Sequence, residues 1–195
     1  KLNSDPLYLF TLLEFYYQLN DKERLAELIE ESLSQLPEEQ ALTRELEYAR
    51  FLFRELDEKE RALEEYLRLS TAYSDSLAVV RELELIALEL SHGRLLADAL
   101  SKEISLRTDP ELLTFLHHQL AEVYEKRLGE PERAISTLRA LMNLRPDWLY
   151  GLEELHRLYQ AQGNWQELVS VINREIGLIE EPGRRIQLYL ESARI

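Results

Sequence analysis

Two stretches of the chain carry nearly the same residue pattern. GEPERAISTLRALMNLRP covers residues 129–146, and DEKERALEEYLRLSTAYS covers residues 57–74, so that Ala62 and Ala134 are 72 residues apart. Both open on an acidic turn and continue with apolar residues at helical spacing. Recurrence at a fixed distance is the signature of architectures that stack one supersecondary unit many times. We therefore expect a row of repeated units, in which each unit buries its apolar face against the next.

The composition favours helices throughout these units. Of the 195 residues, 45% are hydrophobic and 31% are charged, which is enough to bury a core, and only 6 are glycine and 6 are proline. Turn signals recur at short intervals, and they separate stretches of roughly 13 to 20 residues with apolar residues at helical spacing. No run of alternating β-branched residues stands out. The sequence therefore predicts about ten helices and a truncated eleventh.

These helices pair into hairpins, each made of a helix A and a following helix B. The predicted pairs are 5–19 with 21–35, 38–55 with 58–72, 75–91 with 93–106, 109–127 with 131–144, and 147–161 with 164–179; a sixth helix A begins at 183. Residues 1–195 then form one repeat domain with units at about 5–37, 38–74, 75–108, 109–145 and 146–181, and a partial unit at 182–195. Asp109-Pro110, Pro146-Asp147 and Asn164 are expected to open helices, because these residue types suit the first positions of a helix.

Each helix B can be aligned on one small or apolar residue, called here its first core position. It is occupied by Leu25, Ala62, Leu96, Ala134 and Leu168, at spacings of 37, 34, 38 and 34 residues. A bulky residue follows four positions later in every unit. A period near 34 in helix–turn–helix units is typical of tetratricopeptide arrays.

The fourth unit carries this resemblance most fully. Its helix A has His117, Leu120, Ala121 and Tyr124 at the spacing of the family pattern, and its helix B has Ala134, Leu138 and Leu141 before Pro146. The chain thus resembles the tetratricopeptide repeat family over nearly its whole length. The resemblance implies an all-α fold, an α-solenoid of about five antiparallel helical hairpins in a right-handed superhelix. It also implies a protein–protein interaction scaffold.

The chain departs from the family pattern at the small position of helix A. Ala49 and Ala121 fit it, whereas Leu13 and His156 are larger. In the third unit the same position falls on Glu84 or Leu83.

In the tetratricopeptide family, helix A lines the concave inner surface. Projecting the family's groove positions onto this chain predicts a set of partner-binding residues: Phe10, Glu14 and Tyr17; Leu46, Arg50 and Phe53; Phe115, His118 and Glu122; and Glu153 and Arg157. We expect the aromatic residues to anchor a peptide or folded partner and the arginines to steer acidic groups. Family members that clamp a peptide's terminal carboxylates use Lys and Asn, but Phe10 and Glu14 hold the matching positions here, which argues against that ligand.

Several classes of function are disfavoured. The net charge of −14, from 23 basic and 37 acidic residues, disfavours nucleic acid and anionic membranes as partners. The absence of cysteine excludes disulfides and thiolate metal sites. No apolar run approaches the roughly 20 residues that span a bilayer. The sequence does not identify the cellular compartment, although it slightly favours the cytoplasm.

No catalytic or metal-binding constellation is visible. His117 and His118 are adjacent, so their rings point about 100° apart on a helix, whereas metal-binding pairs lie three or four residues apart. Acidic pairs such as Glu153-Glu154 sit among basic residues, as solvated helix faces do. We therefore predict no enzymatic activity, no cofactor and no metal.

Three alternatives to a binding scaffold stay open: a self-associating structural array, a pentatricopeptide-like RNA binder, which the charge disfavours, and a regulatory module of a larger protein. The first helix, LYLFTLLEFYYQL at 7–19, is apolar nearly all round. It predicts either an interaction site or a surface exposed by truncation. We expect the sequence to be a piece of a longer protein, because it starts at Lys1 and ends within a predicted helix.

Overall fold

The computed structural model describes residues 16, 19, 21–33 and 38–195. The chain forms two compact units, residues 1–86 and 87–195. All regular secondary structure among the described residues is helical, so the all-α prediction is confirmed.

The first unit contains α1 (Lys22–Leu33), α2 (Glu38–Arg54), α3 (Lys59–Ala72) and the first ten residues of α4 (Leu77–Glu89). α1 packs on α2, and α2 packs on α3. Ala49 of α2 and Ala62 of α3 are completely buried. Small side chains at these two positions let neighbouring helices approach closely, as the repeat pattern predicts.

The second unit contains six helices, of which the second ends in a π-helical turn. They are α5 (Gly93–Leu106), α6 (Pro110–Glu122) with the π turn Val123–Arg127, α7 (Pro131–Leu144), α8 (Leu149–Gln162), α9 (Trp165–Leu178) and α10 (Pro182–Ser192). Each helix packs mainly on the next one along the chain. Within each unit this is the pairing pattern of an α-solenoid, whose stability comes from contacts between neighbours.

The repeat alignment identified the buried positions correctly. Every residue at the first core position of helix B is buried. Four residues later, Tyr66, Leu100, Leu138 and Ile172 are also buried, and Ile29 is partly buried. Removing these side chains from water contributes about 25 cal/mol for each Å² of apolar surface. The repetition in the sequence therefore reflects one packing contact that is made again in each unit.

Two of the three predicted helix starts in the described residues are confirmed. The carboxylate of Asp109 accepts a hydrogen bond from the Leu112 amide at 2.8 Å, and Asn164 caps α9 through the Glu167 amide. α8, however, begins at Leu149 with Trp148 as its N-cap residue, not at Pro146-Asp147. Pro146 and Asp147 form a turn closed by the Trp148 amide and the Arg145 carbonyl, and Pro is favoured in that turn position.

Candidate partner-binding surface

The predicted site residues of the first unit fall into two groups. Phe10, Glu14 and Tyr17 lie outside the described residues. Phe53 is only 8% exposed and Leu46 is buried, so both side chains support the core of the unit. The Arg50 guanidinium is exposed, but it lies 2.5 Å from the carboxylate of Glu82 on α4.

In the second unit, the structure brings His118 together with two aromatic rings that the sequence analysis did not select. The His118 ring centroid lies 5.7 Å from that of Trp148 and 5.2 Å from that of Tyr150. The Trp148 and Tyr150 centroids are 5.4 Å apart, and all three pairs meet edge to face. We call these three residues the aromatic corner. Edge-to-face packing is a favourable geometry for aromatic pairs, so the corner is a defined structure.

Two exposed rings extend this corner towards solvent. Tyr150 is 47% exposed, and Phe115, one helical turn before His118 on α6, is 56% exposed. Large aromatic side chains with this exposure are typical anchors of protein interfaces. The prediction of Phe115 and His118 as site residues is compatible with this placement. Trp148 and Tyr150 could have been noticed from the segment RPDWLYG, which places two aromatic residues directly after a turn.

A glycine makes room for the corner. A Cβ atom at Gly151 would lie 2.8 Å from Trp148 Cζ3 and 2.8 Å from Met142 Cε. Contacts that short do not occur between real side chains, so any larger residue would force the indole ring to move. The position of the Trp148 ring therefore depends on the missing side chain at 151.

Several charged groups on α6, its π turn and α8 are paired within the chain. Arg157 binds Glu125 through two hydrogen bonds of 2.6 and 2.7 Å, and it also binds Glu154 at 2.6 Å. The hydrogen bonds to Arg157 hold the pKa of Glu125 below its usual value. Glu122 pairs with Lys126, which likewise lowers the pKa of Glu122.

These pairs revise the expected role of the arginines. Arg50 and Arg157 were predicted to steer acidic groups of a partner. Each instead neutralises a glutamate that lies 32 residues away in sequence, about one repeat along the chain. They serve first to join helix A of one repeat to helix A of another, because the guanidinium fork matches a carboxylate.

A second polar group lies at the small position of helix A in the fifth repeat. His156 Nδ1 lies 3.0 Å from Glu175 Oε1 on α9, and its Nε2 lies 3.0 Å from Glu191 Oε1 on α10. Glu175 is completely buried. The hydrogen bond to Glu175, followed by the contact with Glu191, raises the pKa of His156 above its usual value, although partial burial opposes this. The imidazole thus connects three helices.

The last helix leaves an apolar stripe exposed. Ile186, Tyr189 and Leu190 of α10 are each more than half exposed. Beside them lies a cavity of about 520 Å³. Its lining includes Gln160, Trp165, Leu168, Gln187, Leu190, Glu191, Arg194 and Ile195.

Two features are absent from the residues that the structure describes. Among them, no three His, Asp or Glu side chains are grouped in a way that could hold a metal ion. In that same part of the chain, no helix has the length and apolar character needed to cross a bilayer.

Comparison with known proteins places the repeats in a family. The family model for the tetratricopeptide repeat matches residues 116–147 and 152–186. No curated protein matches the chain.

Solved structures with similar folds were also found. The C-terminal part of a TPR repeat-containing protein from Cytophaga hutchinsonii is 17% identical, with a TM-score of 0.49; the match covers 91% of this chain and 68% of that one. YrrB, described as a TPR protein with an unusual peptide-binding site, is 14% identical over 98% of this chain and 93% of its own, with a TM-score of 0.47. MamA is 14% identical over 90% of this chain and 92% of its own, also with a TM-score of 0.47.

The first matched segment begins within α6 and contains α7, and the second begins within α8 and contains α9. Of the aromatic corner, His118 lies in the first segment, whereas Trp148 and Tyr150 lie between the two. The resemblance seen in the sequence is therefore confirmed for these two segments: residues 116–147 and 152–186 match the tetratricopeptide repeat, which supports, in general terms, a protein-interaction scaffold.

Proposed function

We propose that this chain binds a peptide or an extended segment of a partner protein on the surface formed by α6 and α8. The observation that carries the proposal is the aromatic corner, whose Tyr150 ring is exposed, together with the exposed ring of Phe115 one helical turn before His118. His118, Tyr150 and Phe115 lie on helices A of consecutive repeats, which line the binding surface in the tetratricopeptide family. Rigid aromatic side chains supply contact area at a low cost in conformational entropy.

The neighbouring charges support contact through the rings. Glu122, Glu125 and Arg157 are held in ion pairs within the chain. A partner that approached Arg157 with a carboxylate would have to displace Glu125 and Glu154 from it. Apolar contact on the aromatic rings requires no such exchange, and we therefore expect it to supply most of the affinity.

A displayed library of random dodecapeptides, selected on the immobilised chain, tests this proposal. We expect enriched peptides to bind the Phe115→Ala/Tyr150→Ala double variant at least about tenfold more weakly than the parent chain, because each anchor ring contributes more than about 1 kcal/mol. Fluorescence polarisation with labelled peptides gives the affinities.

Leu67→Ala is the matched control, since Leu67 is an exposed apolar residue of the first unit. It should bind like the parent chain. Equal binding by the double variant, or failure of the library to yield any binder, would overturn the proposed surface.

Self-association through α10 is the second candidate function. The observation that favours it is the exposed stripe of Ile186, Tyr189 and Leu190. We expect light scattering to show an average mass that rises with concentration, and the Ile186→Ser/Leu190→Ser variant to abolish that rise. A constant monomeric mass at high concentration would contradict this role.

A further inference from the structure

The aromatic rings and the charges around them together indicate which kind of segment the surface takes. The basic side chains nearby are engaged within the chain. Lys126 pairs with Glu122, and Arg157 pairs with Glu125 and Glu154. At the turn before Trp148, Arg145 lies 4.0 Å from Asp147.

Arg174 also reaches this turn, where it donates a hydrogen bond of 3.1 Å to the Pro146 carbonyl. Each basic group named here already has a partner within the chain, which an acidic segment would have to displace or share.

Two carboxylates beside the exposed rings are in a different situation. Glu153 lies three residues after Tyr150 on α8, and Glu111 lies four residues before Phe115 on α6, so each carboxylate shares a helix face with one ring. Both glutamates are exposed, and within residues 38–195 neither forms an ion pair. The start of α6 favours a carboxylate at Glu111 through the helix dipole. Glu153 is beyond the first turn of α8 and has no such partner.

We propose that the segment bound on this surface is basic: its lysine or arginine side chains lie on the rings of Tyr150 and Phe115 and pair with Glu153 and Glu111. This rests on the proposed function above and names the chemistry of its partner. A cation over an aromatic ring gains about 0.5–1 kcal/mol at an exposed site. An adjacent carboxylate adds a further attraction and selects against acidic segments.

The charge of the whole chain acts in the same direction. Its formal charge of −14 attracts basic segments at long range and repels acidic ones. Long-range attraction raises the association rate, whereas the contacts at the two rings decide where the segment stays. The proposal therefore predicts binding that weakens as salt is added.

The test uses fluorescein-labelled dodecapeptides that share two phenylalanines and differ only at four positions, which are Lys, Arg, Glu or Gln. We expect the Lys and Arg peptides to bind the full chain at least about tenfold more tightly than the Glu peptide, and the difference to shrink in 0.5 M salt. The Glu111→Gln/Glu153→Gln variant should weaken binding of the Lys peptide about fivefold and leave binding of the Gln peptide unchanged.

A matched variant separates local from general charge effects. Glu89→Gln/Glu180→Gln removes two exposed carboxylates of the second unit and should change the affinity for the Lys peptide by less than about twofold. If both double variants weaken the Lys peptide equally, the local pairing is wrong. If the Glu peptide binds as tightly as the Lys peptide, the basic class is wrong.

The two proposals fail in different ways. If the displayed library enriches peptides without Lys or Arg, and these still lose affinity in the Phe115→Ala/Tyr150→Ala variant, the surface is right and its preference for basic segments is wrong. If that variant binds Lys peptides as the parent chain does, the surface itself is wrong, and the preference for basic segments falls with it.

Discussion

Replacement of His156 by alanine is expected to lower the free energy of unfolding of the second unit by roughly 3 kcal/mol, the cost of removing one partner of a buried ion pair. Glu175 is completely buried and is hydrogen bonded to His156. The other oxygen of Glu175, Oε2, has no hydrogen-bond partner among the described residues. Without the imidazole, the buried carboxylate has no counter-ion, and nothing offsets the free-energy cost of removing it from water. Urea denaturation followed by circular dichroism measures the loss.

A double variant tests whether the loss of stability comes from leaving Glu175 buried without its partner. The second and fourth repeats have alanine at the position of His156 (Ala49 and Ala121) and leucine at the position of Glu175 (Leu69 and Leu141). His156→Ala/Glu175→Leu recreates that combination. We expect it to be at least as stable as the parent chain, since replacing a buried ion pair by apolar residues is often neutral or stabilising. A double variant no more stable than His156→Ala would show that the helices depend on His156 in some other way.

The same contact makes stability depend on pH. Each imidazole nitrogen lies 3.0 Å from a carboxylate oxygen, so the protonated ring, which has two N–H donors, satisfies both contacts. The pKa of His156 is raised in the folded chain above the ordinary value of 6.5. Its stabilisation is therefore fully present below pH 6.5 and is lost as the pH rises through the raised value. The parent chain should lose stability over that interval, and His156→Ala/Glu175→Leu should not.

Leu141→Ala is expected to cost about 3 kcal/mol, within the range of 2–5 kcal/mol for removing a buried leucine side chain. Leu141 on α7 is completely buried at the contact between helices that the repeat pattern specifies. The change leaves a cavity that tightly packed neighbours fill only in part. Thermal and urea unfolding should both show the loss.

Leu144 provides the control on the same helix. It is three residues from Leu141 and 48% exposed. Leu144→Ala should change stability by less than about 0.5 kcal/mol. Equal effects of the two substitutions would contradict the burial pattern of α7.

The buried positions of the helices could be predicted because one residue pattern recurs. Ala62 and Ala134, aligned by their sequence context alone, are both completely buried. The beginning of α8 could not be predicted so well, because Pro146 and Asp147 suit both the first positions of a helix and a turn. The turn is the form adopted: the Trp148 amide donates to the Arg145 carbonyl three residues earlier, and Arg174 of α9 donates to the Pro146 carbonyl.

The candidate surface was predictable only in part. Projection of the family's groove positions selected Phe115, which is exposed, and His118, which is partly buried against Trp148 and Tyr150. The same projection selected Phe53, which is buried. A difference of a few tens of degrees in the rotation of a helix about its axis is enough to move a residue from the surface to the core. The pairing of Arg50 and Arg157 with glutamates 32 residues away depends on how repeats stack, which spacing within one helix does not reveal.

The close packing of Trp148 against Gly151 sets a limit on engineering this chain. A routine search for thermostabilising changes would select Gly151→Ala, because alanine in a helix is favoured over glycine by about 1 kcal/mol. At this site the added methyl group collides with the indole of Trp148 and displaces it. Any gain in helix stability would thus come with a change in the shape of the proposed binding surface, so stabilising changes should be sought elsewhere in the chain.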